Sequence, residues 1–100
     1  MGRNAEHVYT EPGAIARIEA WIAELPGAAV VRIVEIDGRE TSGVVSVRPT
    51  VQAFRDGNEN EGINGVVTLE DPDRPGWTGT IWLDRIERVD RLAPNLAQKA

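Results

Sequence analysis

The chain has no cysteine, a single lysine, and one each of histidine, methionine, phenylalanine and tyrosine among its 100 residues. The lack of cysteine excludes disulfides, thiolate metal sites and cysteine nucleophiles, and it fits a reducing compartment. The lone histidine, His7, has no metal-ligating or acid–base partner near it in sequence, so it reads as a surface or capping residue rather than a catalytic one. No stretch approaches the roughly 18 consecutive apolar residues of a membrane span, and the first seven residues lack the apolar run of a signal peptide. Gly-rich phosphate cradles, nucleophile elbows and zincin motifs are also missing. The expectation is a cytoplasmic protein with no membrane contact, no cofactor and no enzymatic activity.

Charge is present but one-sided. Eleven Lys+Arg against sixteen Asp+Glu give a net charge of −5, which aids solubility and disfavours non-specific attraction to nucleic acid. Ten of the eleven cations are arginines, with Lys99 the exception, a bias suited to specific forked contacts rather than to a general phosphate-binding surface. One hundred residues make a single domain, 1–100. A chain this short hides roughly 60–65% of its unfolded surface, so a covering helix or an oligomer would help it.

Residues 1–9 read as a flexible arm and 10–25 as a helix. Thr10 is placed to cap, Glu11 and Pro12 suit the first turn, and Ile15, Ile18, Ile22 and Leu25 form an apolar stripe widened by Ala14 and Trp21. Leu25-Pro26-Gly27 stops it. Short strands follow over 29–92, and 93–100 reads as a frayed tail. The first strand, 29–36, meets the second, 43–48, through Asp37-Gly38, the strongest hairpin signal in the chain. Gly43 stands where a bulge or tight bend needs no side chain. Val45 and Val47 are expected on one face, Ser46 and Arg48 on the other. Strand character resumes from Ile63 to Glu70, with Asn64-Gly65 as a turn or bulge inside it, and returns over 77–83 and 86–92. One helix followed by roughly five short strands predicts a mainly β protein, a small, strongly bent, five-stranded antiparallel barrel or half-open roll.

Gly38-Arg39-Glu40-Thr41-Ser42-Gly43 followed by Val44-Val45-Ser46-Val47 resembles the first signature of Sm-like proteins. The stretch 81–89, with Ile86 and Val89 at closing-strand spacing, resembles a shortened second one. The stretches 7–11, 47–56, 60–62 and 81–86 together resemble a small bacterial protein family from xanthomonads and their relatives with an Sm-like variant fold. That resemblance covers most of the chain and implies the Sm-like architecture. Sm-like RNA pockets carry an Asp and an Asn after the third strand and a basic-plus-glycine pair before the last. Here Pro49-Thr50-Val51 and Asp84-Arg85 stand near those places, and an acidic residue there repels phosphate. The resemblance therefore implies fold more than RNA binding.

Two uses suit such an architecture. A nucleic-acid face would draw on Arg48, Arg55, Arg85 and Arg88, with Phe54, and with Trp77 and Trp82 as further aromatics a base can stack upon. A protein or self-association face would draw on Trp21, Val44 and Trp77, because an open roll leaves strand edges free to pair. Asp37, Gly38 and Gly43 are expected to serve the turn and bend. The loop 56–62 alternates Asp56, Asn58 and Asn60 like a calcium loop, but it has Glu61 and Val67 where such a loop needs glycine and a bidentate glutamate. It reads as a solvated acidic loop. The favoured expectation is a non-enzymatic interaction protein that associates with itself or with another protein, with RNA or single-stranded nucleic acid as the alternative partner.

Overall fold

Alternation of side chains fixes the central hairpin. The computed structural model describes residues 3–92. In β2 (Val30–Glu35), Val31 and Ile33 are fully buried; in β3 (Glu40–Val45), Val45 lies beside them at 1% exposure. Between the strands, Gly38 N–H donates to the Glu35 carbonyl and Glu35 N–H to the Arg39 carbonyl, both at 2.8 Å. That encloses a three-residue loop whose last member, Gly38, has φ 91, a conformation glycine adopts without cost. The Asp37 carboxylate accepts the Arg39 N–H at 3.0 Å and stiffens the turn.

The remaining elements are β1 (Arg3–Asn4), α1 (Pro12–Ala23), β4 (Gln52–Arg55), β5 (Glu61–Asn64), β6 (Val66–Glu70), β7 (Thr78–Trp82), a 3-10 turn (Leu83–Arg85) and β8 (Ile86–Arg91). Five strands form one antiparallel sheet in the order β7-β6-β3-β2-β8, and β1-β4-β5 form a smaller one. β7 and β8 lie at opposite edges, yet only the 3-10 turn separates them in sequence. Across a flat sheet the four inter-strand steps would span roughly 19 Å. The turn reaches about 13 Å even when extended. The sheet must therefore curl until its edges approach, and since β7 and β8 are not hydrogen-bonded neighbours it stays half open. The half-open roll expected from the sequence is what forms.

Gly43 permits the curl. A Cβ there would lie 2.7 Å from the Glu70 carbonyl oxygen and 3.1 Å from Leu69 Cβ, where β6 joins β3. Inside the curl, Val31, Ile33, Val45, Val67, Leu69, Ile81, Leu83 and Ile86 make a single core, which Ile18 and Leu25 close from the helical side. Burial of the Ala14–Ile18 face is what holds α1 in place.

Several boundaries differ from the sequence expectation. The helix begins at Pro12, and its N-cap is Glu11, without a side-chain cap, rather than Thr10. β3 ends at Val45, so Val47 does not share its face but stands 73% exposed. The stretch 63–70 is not one strand. It divides at the turn or bulge expected at Asn64-Gly65, and β5 and β6 go to different sheets; a side chain at Gly65 would strike Leu83 Cδ1 at 2.7 Å and the Thr50 carbonyl at 3.0 Å, so glycine is needed there.

Residues 3–9, expected as a flexible arm, are bound. β1 pairs parallel to β4, Ala5 N–H donates to the Arg55 carbonyl at 3.0 Å, and Tyr9 exchanges both backbone hydrogen bonds with Ile63. In between, buried Asn64 donates its side-chain amide to the His7 carbonyl at 2.9 Å. The β4–β5 hairpin alone has two free edges, and this segment fills both. The tail 93–100 lies outside the described residues.

Candidate interaction surface

The arginines proposed for a nucleic-acid face do not converge. Arg85, in the 3-10 turn, directs Nε to Glu35 at 3.6 Å and its terminal nitrogen to Asp37 at 3.2 Å, and Arg39 joins the same carboxylate. Arg88 lies on the outer face of the sheet, where it and Arg32 share Asp90. Their presence holds the Asp90 carboxyl below the usual carboxylate range, chiefly through the Arg88 hydrogen bond. Arg55 sits in the smaller sheet, paired across the strands with Glu61 at 2.8 Å. Arg48 is exposed after β3 and forms no ion pair among the described residues.

Phe54 is no stacking platform. It is 4% exposed and meets Trp82 edge-to-face at 5.0 Å between centroids. Its alternate position in β4 turns it inward, so the aromatic pair joins the two sheets instead of offering a face to a base. Asp84, in the position that bears on phosphate in the resemblance, accepts the Tyr9 hydroxyl at 2.9 Å. Burial, and then that hydrogen bond, keeps the Tyr9 phenol above its usual range.

The acidic loop is satisfied from within. One Asp56 oxygen accepts the N–H groups of Asn58 and Asn60, and the other accepts the Asn60 side-chain amide. Among the described residues no three acidic or histidine side chains are grouped to hold a metal. His7 is exposed and contributes its carbonyl, not its ring, to the fold.

Two of the three residues expected at a protein interface do meet. Val44 and Trp77 line one groove of about 440 Å³ with Glu70, Asp71, Pro72 and Thr78. The Arg74 guanidinium lies over the Trp77 ring at 4.8 Å and pairs with Asp71 at 3.1 Å, which fixes the groove wall. Trp21 is elsewhere, half-buried on α1 beside Tyr9 and Asp84.

This groove opens beside β7, which among the described residues has a neighbour on one side only. β7 and the Trp77 before it read Trp-Thr-Gly-Thr-Ile-Trp, without charge or proline. The opposite edge, β8, carries Glu87, Arg88, Asp90 and Arg91 among its six residues. Charges on an edge discourage pairing with another chain; an uncharged edge does not. Sequence reading marks Val44 and Trp77 singly but misses this asymmetry. The signal was the absence of any charge over 77–82, which gains meaning only once β7 is known to be an edge.

A family model described as a domain of unknown function, DUF3247, matches residues 2–92. The crystal structure of XC5848 from Xanthomonas campestris, described as adopting a novel variant of the Sm-like motif, is similar at 42% sequence identity and a TM-score of 0.85. The match covers 93% of this chain and 100% of that one. Among curated proteins none matches. No helix among the described residues is long and apolar enough to cross a membrane.

Proposed function

This chain belongs to the DUF3247 family, and we propose that it works as a small non-enzymatic interaction protein whose β7 edge takes up a strand from another protein chain. The Sm-like variant fold of its relative and the lack of catalytic motifs in the sequence support the non-enzymatic part. The observation that carries the rest is the contrast between the two edges, β7 uncharged and β8 studded with charge. Strand addition supplies affinity through backbone hydrogen bonds, and a side-chain groove at the end of the edge supplies selection. The groove at Val44 and Trp77 continues β7 in this way.

The charge distribution supports a protein over a nucleic acid. Three of the four arginines considered for RNA are paired with carboxylates, and the whole chain carries −5. A cysteine-free interaction protein of this kind fits the cytoplasm.

Thr80 lies exposed at the middle of β7, so Thr80→Lys places a charge on the edge without touching the core. Copurification and sedimentation of the full chain are expected to show binding to a protein partner or to a second copy. That binding should weaken by about tenfold or more in Thr80→Lys and stay unchanged in Glu87→Lys on β8. Equal association by wild type and Thr80→Lys would overturn the assignment. So would recovery of RNA that is lost steeply with salt.

A further inference from the structure

Between α1 and the 3-10 turn lies a second cavity, of about 150 Å³ and away from β7. Ala14, Ile18, Trp21, Leu83 and Ile86 make its walls apolar; Tyr9, Arg17 and Asp84 bring polar groups to it. Three parts of the chain distant in sequence meet there, each held by other contacts: Tyr9 by its bridge to Ile63, α1 by burial of Ile18, and the turn by fully buried Leu83.

The charges are the unusual part. Asp84 Oδ2 accepts the Tyr9 hydroxyl, while Oδ1 has no protein partner among the described residues. The neighbouring cation, Arg85, is turned away and committed to Glu35 and Asp37. Arg17 also forms no ion pair among the described residues, yet it lines this cavity and its charge is felt at Tyr9. An unpaired carboxylate oxygen and an unpaired guanidinium thus border one small apolar space.

A ligand with only a positive charge gains from Asp84 and loses to Arg17; one with only a negative charge does the reverse. A ligand carrying both gains twice. A cavity of about 150 Å³ with apolar walls holds a guest of roughly benzene size. We propose that this cavity binds a free α-amino acid with a leucine- or phenylalanine-sized side chain. Its ammonium donates to Asp84 Oδ1, its carboxylate accepts from the Arg17 fork, and its side chain lies against Trp21, Leu83 and Ile86. Both polar contacts are charge-assisted, the stronger kind of hydrogen bond. Tyr9 positions the carboxylate and does not itself need to touch the ligand.

The test is titration of the full chain with L-leucine and L-phenylalanine at millimolar concentrations, read by the indole N–H resonance of Trp21. A saturable shift of that resonance is expected. Leucinamide, which keeps only the positive charge, and N-acetylleucine, which keeps only the negative one, should each bind roughly tenfold more weakly or worse. Asp84→Asn and Arg17→Gln should weaken leucine binding by a similar factor. Arg17 is exposed on the helix, so its variant decides the matter should Asp84→Asn fail to fold. Absence of a saturable shift, equal binding of the three leucine compounds, or unchanged binding by Arg17→Gln would overturn the proposal. Thr80→Lys should leave leucine binding intact, so this site and the β7 edge stand or fall separately.

Discussion

Glu35 is 7% exposed, and its carboxylate faces Arg85 across 3.6 Å. Removing Arg85 therefore strands a buried negative charge, whereas removing Arg88 frees the half-exposed Asp90, which keeps Arg32. Arg85→Ala is expected to destabilise the fold by about 3 kcal/mol, the cost of breaking a buried pair from one side. Arg88→Ala should shift stability far less, because its partner Asp90 is solvated and exposed pairs contribute little. Urea unfolding midpoints at an unchanged slope check both. Side-chain destinations of this kind were the least legible feature of the sequence. Asp37-Gly38 could be placed because a turn is a local affair. The direction of Arg85 depends on a carboxylate fifty positions earlier in the chain, and the inward turn of Phe54 on Trp82.

The bend at β3 depends on one missing methyl group. Gly43→Ala places a Cβ 2.7 Å from the Glu70 carbonyl oxygen, a backbone atom that cannot swing aside, so β6 must back away from β3. A loss of about 2 kcal/mol is expected, typical of overpacking a close contact. It is measurable by thermal unfolding and by faster amide exchange in β6 than in β2. Elements with a strong apolar signal were readable from sequence: α1 from its apolar stripe, and β2 from its run of valine and isoleucine, apolar on both faces for part of its length. The sequence marks a turn or bulge at Asn64-Gly65 but not that it sends β5 and β6 to different sheets, because nothing local says that Gly65 must slip past Leu83. β1 was invisible for a similar reason. Two residues become a strand only where a hairpin edge awaits them.

At the scale of the whole molecule, four carboxylates scattered over separate turns and strands are shifted in the same direction. Asp37, Asp56 and Asp71 are held below the usual value of 3.8 first by backbone N–H groups of Arg39, Asn60 and Asp73, and Asp90 first by Arg88. A folded-state value below the unfolded one gives stability that is present above 3.8 and lost as pH falls through the depressed values. Calorimetric melting temperatures should accordingly drop on acidification below about that point, and a level profile through the window would contradict the hydrogen-bonding described. The mainly β class, the N-terminal helix and a small barrel or half-open roll were legible because they follow from counting and patterning. The location of the groove and of the free edge was not, since both arise from how the sheet curls. The N-terminal segment carries a last consequence, for the order of folding. Residues 3–5 dock on β4 and the Tyr9 hydroxyl on Asp84, 75 positions away. Residues 3–9 therefore find their backbone partners only when residues 54–64 are available, and the Tyr9 hydroxyl finds its own only at residue 84. Such remote pairings slow folding toward the millisecond-to-second range of high-contact-order β proteins.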